Sequence, residues 1–540
     1  MEDRLQVDRS NDETREIDVA VVGAGMGGLY AIRRFTADGH SVQGFEAADD
    51  IGGVWLHNAY PGARVDIEAY YYCFFDSDIY QKWQWTERYP AQPEILSYLQ
   101  FYANHYDLRK SFKFSTAVES LKWIPAAQRW RLSDSTGEIF LARHVVMATG
   151  QLSKSRELPF AGAADFKGQW IETSHWPREK VDLAGKRVAV IGTGSSGAQV
   201  ITAIAGEVES LHVFQRTPNY VVPSQNAPID AVKYARYAED TSALWNEVTN
   251  TSTAYLAPFG TVPATDMSPA EQQQRLEDQW DFGGLSMTFA FPDQRTSWDT
   301  NGIVSDFVRN KVKTVVKDQS VAAVLEPKYY PIGTRRLAVC NGYYETFNRD
   351  NVTLVDLRQE QIEKVTERGV LTDTREYEFD IIISALGFEA FTGPIDAIEI
   401  ENEQGEHPTS YWVDGPNCYL GLMLNGFPNL HMLTGPGSPS VLVNFNVHNV
   451  FHVDFVAELV NYMSTHGHTS VMPTEIAQND YREFTQLASD GLLRKEVENY
   501  MTHVNPDGSR FFIPYAGGWS NYVDIVRKIE ETQYEGFVFE

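Results

Sequence analysis

The stretch Asp18-Val19-Ala20-Val21-Val22-Gly23-Ala24-Gly25-Met26-Gly27-Gly28 constrains the fold more than any other. Its apolar opening reads as a buried parallel strand. A glycine turn follows, and Leu29 to Phe35 begins a helix. Gly23 permits the tight turn, Gly25 lets a pyrophosphate approach the backbone, and Gly28 lets the helix pack close to the strand. The helix N-terminus offers free N–H groups and the positive end of its dipole to phosphates. Eighteen residues beyond Gly28, after a second strand Ser41 to Phe45, stands Glu46. A carboxylate there accepts hydrogen bonds from a ribose 2′-OH and repels a 2′-phosphate. The first unit is therefore a dinucleotide site for an unphosphorylated ribose, as in FAD or NAD.

The pattern recurs at Arg187-Val188-Ala189-Val190-Ile191-Gly192-Thr193-Gly194-Ser195-Ser196-Gly197, followed by a helix over Ala198 to Ala205. Nineteen residues past Gly197, after the strand Leu211 to Phe214, comes Arg216-Thr217 in place of an acid. A guanidinium suits a 2′-phosphate through paired, charge-assisted hydrogen bonds, so the second site is built for NADP. The competing account is that Arg216 is a solvated surface residue.

The rest of the chain limits the alternatives. With 73 acidic against 45 basic residues the net charge is −28, which argues against nucleic acid or an anionic membrane as partner. Met1 to Glu16 is charged and polar, unlike a secretory signal. No run of 18 apolar residues exists, so no transmembrane helix is expected. Cys73, Cys340 and Cys418 are far apart, with no CxxC and no metal spacing. That fits a reducing, cytoplasmic compartment and disfavours cysteine redox chemistry. No metal is expected, and oligomeric state is open.

In chain order, Gly52 to Asp66 is a glycine- and proline-rich loop carrying Trp55, Arg64 and Asp66, followed by the aromatics Tyr70, Tyr71, Tyr72, Phe74 and Phe75. Asp66 is either a functional carboxylate against an apolar surface or a turn cap beside an aromatic core. Val118 to Trp123 and Ala126 to Leu132 read as a hairpin. Phe140 to Met147 reads as a strand ending in the small-residue turn Ala148-Thr149-Gly150. Residues 224–330 carry helical patterns at Asp230 to Asn250, after Ser268-Pro269-Ala270-Glu271 (a capping box with proline at the first helical position), and at Ile303 to Leu325. Val352 to Asp356 and Tyr377 to Ile383 read as strands, the latter ending in Ser384-Ala385-Leu386-Gly387. A strand Asn429 to Leu433, a loop Gly435 to Ser440 and a helix from about Asn446 to Met463 follow. The expected class is α/β, with two Rossmann-like dinucleotide-binding domains, for FAD and NADP, and a helical insertion in the NADP domain. The expected boundaries are a flexible N-terminus 1–15, an FAD domain 16–152 and 381–540, an NADP domain 153–223 and 331–380, and the insertion 224–330.

Over nearly its whole length the chain resembles the Baeyer–Villiger monooxygenases among the class B flavin monooxygenases, of the phenylacetone and cyclohexanone monooxygenase type. Gly52 to Asp66 matches GGxWxxxxYPGxxxD at every fixed position. Phe166 to Pro177 matches FxGxxxHxxxWP except that Glu172 stands at the histidine, with His175 out of register. This departure bears on the inter-domain linker and NADP handling more than on reaction class.

The resemblance implies that NADPH reduces FAD, that the reduced flavin adds O2 at C4a, and that the resulting peroxide attacks a ketone to give an ester or lactone. Sulfide oxidation by the same species is compatible with it. Other class B N- or S-oxygenation, or an uncoupled NADPH oxidase, are the alternatives. It further implies Arg336 as the catalytic cation and Asp66 as its partner. FAD contacts are expected from Gly23, Gly25, Gly28, Glu46, Trp55, Asp66, Tyr72 and Val118. NADP contacts are expected from Arg64, Gly192, Thr193, Gly194, Ser195, Ser196, Gly197, Arg216, Thr217, Arg335 (where the family often has lysine) and Tyr500 or its neighbour Asn499. Val441, Leu442 and Phe445 are pocket candidates, with ordinary core packing as the alternative.

Overall fold

The structure is a computed structural model, and it describes residues 15–540. The expected flexible N-terminus lies, up to residue 14, outside the described residues. Arg15 already belongs to the first strand, β1 (Arg15–Val22), whose apolar end is buried on both faces as a parallel strand should be. Helix α1 (Met26–Ala37) returns the chain to β2 (Val42–Phe45), which pairs with β1 in parallel. On the other side β1 pairs in parallel with β3 (Ile139–Met147). The β3 strand is also the inner edge of an antiparallel hairpin formed by Val118–Ile124 and Arg129–Asp134. The late strand Leu430–Met432 joins the C-terminal end of β3 in parallel, so the last third of the chain completes the first sheet.

The second unit has β4 (Arg187–Ile191), helix α2 (Ser195–Ile204), β5 (Ser210–Gln215) and β6 (Ile381–Ser384). Its five-stranded sheet runs Val352–Asp356, β5, β4, β6, Gln169–Glu172, every pair parallel. Both units are Rossmann-like, as expected. Two readings need correction. The single strand Tyr377 to Ile383 is two: Glu376–Glu378 closes an antiparallel ribbon, and β6 enters the second sheet. The return to the first unit therefore falls after Ser384, not at 381, because an apolar run carries no label for the sheet that buries it.

The insertion is helical, but its helices break where capping side chains intervene. Asp230 to Asn250 is split into Ala231–Glu239 and Thr241–Thr249, since Asp240 ends the first helix and its carboxylate accepts from the Ala243 N–H of the second. Ile303 to Leu325 is split likewise: Trp298–Val315, capped by Ser297, and Gln319–Leu325, capped by Asp318. The capping box forms, with Glu271 accepting from the Ser268 N–H at 2.7 Å. These helices pack on the first unit's aromatic run: Tyr234 stacks on Tyr80 at 4.6 Å and Tyr237 meets Tyr70 edge-on at 5.9 Å. Helix α3 (Phe445–His466) packs against α1 in the same core. Among the described residues no helix is long and apolar enough to cross a membrane.

Candidate active site

Each glycine of the first turn has a separate physical cause. Gly23 sits at φ +108°, and a Cβ there would lie 2.6 Å from the Ala148 carbonyl oxygen. A Cβ on Gly28 would collide with the Gly23 carbonyl. Gly25 has an ordinary extended backbone, and the nearest atom to an added Cβ is the Gly53 Cα at 3.6 Å. The protein alone does not require glycine at 25, whereas a group lying on the backbone does. Helix α1 opens at Gly25 with no side-chain cap, unlike the helices opened by Asp230, Ser297 and Thr474. Its first N–H groups are left for an anion. Glu46 is buried and accepts from the Ala24 N–H at 2.6 Å and the Ala48 N–H at 2.8 Å. Burial raises its pKa, partly offset by those backbone donors. Trp55 donates to the Tyr72 hydroxyl at 3.0 Å, and Val118 is buried at the start of its strand. These residues fit the pyrophosphate and ribose of an FAD.

The second turn repeats the logic. Gly192 sits at φ +110°, where a Cβ would collide with the Ala385 carbonyl, and Gly197 abuts the Gly192 carbonyl. A Cβ on Gly194 would meet nothing within 4 Å, so that approach is open. Helix α2, beginning at Ser195 and Ser196, also lacks a side-chain cap. Thr193 donates to the Thr217 carbonyl at 3.4 Å, which ties the turn to the end of β5. Arg216 is exposed there, with no hydrogen bond or ion pair of its guanidinium among the described residues. This set fits the 2′-phosphate of NADP. Arg64 is the exception among the expected contacts: its guanidinium is engaged by Glu87 and the Tyr89 carbonyl. Its backbone does different work. Gln199 of α2 donates to the Arg64 carbonyl at 3.1 Å and accepts from the Tyr60 hydroxyl at 2.9 Å. The Tyr60–Arg64 loop thereby docks the first unit on the second.

Between the two turns Arg336 meets Asp66. Nε donates to Asp66 Oδ2 and Nη2 to Oδ1, both at 2.7 Å, while Nη1 donates to the Val441 carbonyl at 2.8 Å. Burial works against the guanidinium's charge, but the Asp66 carboxylate more than offsets it, and the pKa of Arg336 lies above its usual value. All three bonds come from one rigid fork, so the cation cannot swing.

Arg336 lines a cavity that is partly open to solvent. Val441, Leu442, Arg335 and Tyr500 line it. Arg335 donates to the Glu498 carbonyl at 3.1 Å and lies over the Tyr330 ring. Of the two candidates in the C-terminal segment Tyr500 faces the cavity, whereas the Asn499 amide is committed to the Arg494 and Val497 carbonyls at 2.6 and 3.0 Å. Phe445, expected in the pocket, is not part of its lining; it begins α3 just past it. Tyr255, Leu285, Phe289 and Arg295, all from the insertion, are lining residues that sequence reasoning missed. Tyr255 and Arg295 come from loops and Leu285 and Phe289 from the 3-10 helix Gly284–Phe289, and together they form no motif that could have marked them. At the linker, Glu172 accepts from the Ser174 hydroxyl at 3.4 Å, and His175 lies 5.3 Å from His57, whose carbonyl takes the Trp176 N–H.

A family model for flavin-binding monooxygenase-like proteins matches residues 16–247. A Baeyer–Villiger monooxygenase of Pseudooceanicola batsensis is 36% identical over 540 residues, which covers 99% of this chain and 98% of that one. Among solved structures, oxidized steroid monooxygenase bound to NADP is 39% identical with a TM-score of 0.93, covering 97% of this chain and 99% of that one. OTEMO in complex with FAD and NADP is 34% identical with a TM-score of 0.94, covering 98% and 100%.

Proposed function

The chain belongs to the Baeyer–Villiger monooxygenases, enzymes that use FAD, NADPH and O2 to convert ketones to esters or lactones, and from that premise we propose which of its residues carry the reaction. The overall change is ketone + O2 + NADPH + H⁺ to ester, NADP⁺ and water. FAD supplies the two-electron relay from NADPH to O2 and the activation of the inserted oxygen. The observation that carries the reading is the forked Arg336–Asp66 pair, with Arg336 on the wall of a cavity of mixed polar and apolar lining.

Arg336 holds the negative charge that develops on the ketone oxygen as the new C–O bond forms. Its fork on Asp66 and its bond to Val441 fix it beforehand, so nothing need reorganise when that charge appears. Each Asp66 oxygen accepts one bond from Arg336 and keeps a lone pair for a donor on bound NADP. Val441, Leu442 and Phe289 supply apolar wall that keeps water from the reacting carbonyl. Glu46 holds the FAD ribose, and Arg216 with Thr217 the NADP 2′-phosphate. In place of the fingerprint histidine, Glu172 serves the linker as a hydrogen-bond acceptor.

The test is anaerobic reduction of the flavoprotein by NADPH, then oxygen and cyclohexanone. Caprolactone equimolar with NADPH is the expected product. Stoichiometric hydrogen peroxide and no ester, with every ketone tried, would overturn the reading. For the second site, Arg216→Gln should raise the KM for NADPH roughly 10- to 100-fold, the range of a lost charge-assisted bond, and narrow the preference over NADH. An unchanged cofactor preference would return Arg216 to the solvated surface.

A further inference from the structure

Asp66 balances Arg336, yet three more guanidinia line the same cavity with no ion pair to a carboxylate among the described residues: Arg335, already expected to meet NADP, and Arg295 and Arg494. Arg295 comes from the insertion, just ahead of the helix Trp298–Val315, and Arg494 from the short helix Leu493–Glu496. The Leu493 N–H donates to the Arg295 carbonyl at 3.0 Å, which holds these distant segments side by side. Arg494 gives Nη2 to the Gly333 carbonyl at 2.6 Å. The Arg295 guanidinium makes no hydrogen bond or ion pair among the described residues, and the residue keeps an open surface to the cavity. Among the described residues no aspartate or glutamate lines this cavity, in a chain where acidic residues outnumber basic ones 73 to 45.

The cluster is electrostatically unbalanced. Burial lowers the pKa of Arg494 to about 10, with the charges of Arg295 and Arg336 adding to the effect. Burial lowers that of Arg295 as well. Both stay cationic at neutral pH, so the cavity wall holds like charges that no carboxylate among the described residues pairs with. A chain this acidic has many residues with which to neutralise them and does not. Arg494 bonds the carbonyl of Gly333, three residues before Arg336, so the cluster lines the same cavity wall as Arg336.

We propose that Arg295 and Arg494 form an anion subsite of the substrate cavity, and that this chain prefers ketones carrying a carboxylate remote from the carbonyl over uncharged ones. A carboxylate matches the planar fork of a guanidinium, and two arginines on separate segments can take its two oxygens. With the carboxylate held there and Arg336 at the carbonyl, the ketone is fixed at both ends, which selects the bond that migrates. The inference rests on the oxygenase reading for its substrate but not for its binding site.

The experiment has two arms on the FAD-loaded protein with saturating NADP⁺ or NADPH. Calorimetry compares unreactive cyclohexanecarboxylate with cyclohexanecarboxamide. The carboxylate is expected to bind roughly 10- to 100-fold tighter, the range of one charge-assisted bond. Arg295→Gln should close that gap and Arg295→Lys restore part of it. Steady-state kinetics then compare 4-oxocyclohexanecarboxylate with its methyl ester, where the acid-to-ester ratio of kcat/KM should fall by a similar factor in Arg295→Gln and in Arg494→Gln. Arg295 makes no side-chain hydrogen bond or ion pair among the described residues, so its variant keeps the test readable if Arg494→Gln fails to fold. Equal binding of the two probes by the native protein overturns the proposal. So does a variant that raises the KM for NADPH and leaves the ratio unmoved, which would give the arginines to the cofactor. Carboxylate-selective binding without oxygenation of any ketone would uphold the subsite and sink the oxygenase reading.

Discussion

Replacing Arg336 with alanine should lower ketone oxygenation by roughly 10²- to 10³-fold or more, the usual cost of removing a preorganised stabiliser of developing charge. Flavin reduction by NADPH should fall far less, because the guanidinium is placed to meet charge on the ketone oxygen. The variant also strands Asp66, whose side chain is only 22% exposed, so a loss of about 3 kcal/mol of stability accompanies the kinetic defect. Arg336→Lys separates the two effects. It keeps a cation near Asp66 but cannot make the fork and the bond to the Val441 carbonyl together, so oxygenation should stay well below native while stability recovers. Asp66→Ala attacks from the other side and leaves Arg336 tied only to Val441. Product quantification, rapid-mixing measurement of anaerobic flavin bleaching, and thermal unfolding together check this. Equal loss in reduction and oxygenation for Arg336→Ala would move the residue from the ketone to the handling of NADPH.

Gly25→Val should yield a folded but nearly colourless protein. The backbone at 25 is one that any residue adopts, and an added Cβ meets only the Gly53 Cα at 3.6 Å. The new methyls point instead into the space where the FAD pyrophosphate would lie against the N-terminus of α1. An overpacking cost of 1–3 kcal/mol predicts a loss of flavin affinity of roughly 10- to 100-fold. Gly28→Val is the contrast: its side chain strikes the Gly23 carbonyl, so the turn itself fails and the protein should not fold. Absorbance at 450 nm against protein concentration, with circular dichroism compared to native protein stripped of flavin, distinguishes the outcomes. A Gly25→Val protein as yellow as native would mean that the dinucleotide does not lie on this turn.

Much of this was legible because it is local. Each strand–turn–helix unit is specified within a dozen residues by an apolar run, a glycine needing positive φ at 23 and 192, and a close approach at 28 and 197. Glu46 and Arg216 follow at a spacing set by one helix and one strand. The capping box at Ser268 is likewise a three-residue matter. Other breaks were equally local and were missed. Asp240 ends one helix and caps the next, and Asp318 caps the helix that follows the break after Val315, and a continuous apolar stripe hides that competition.

The two strand–glycine turn–helix units could be read from the sequence, since each depends on contacts between near neighbours. Its likeness to a family then singled out Arg336 and Asp66. Only the tertiary structure decided how the long-range pieces meet. The β6 strand took its place in the second sheet, the insertion packed its tyrosines on the first unit, and Phe445 fell outside the cavity that Val441 lines. Arg295 and Arg494 came together from segments with no shared motif, joined by the Leu493–Arg295 backbone hydrogen bond and by the Trp298 indole on Glu496. An isolated apolar or charged side chain has the same propensities wherever it is buried. Its partner is chosen by the packing of the whole chain, and for the cavity wall that packing is the only source of information.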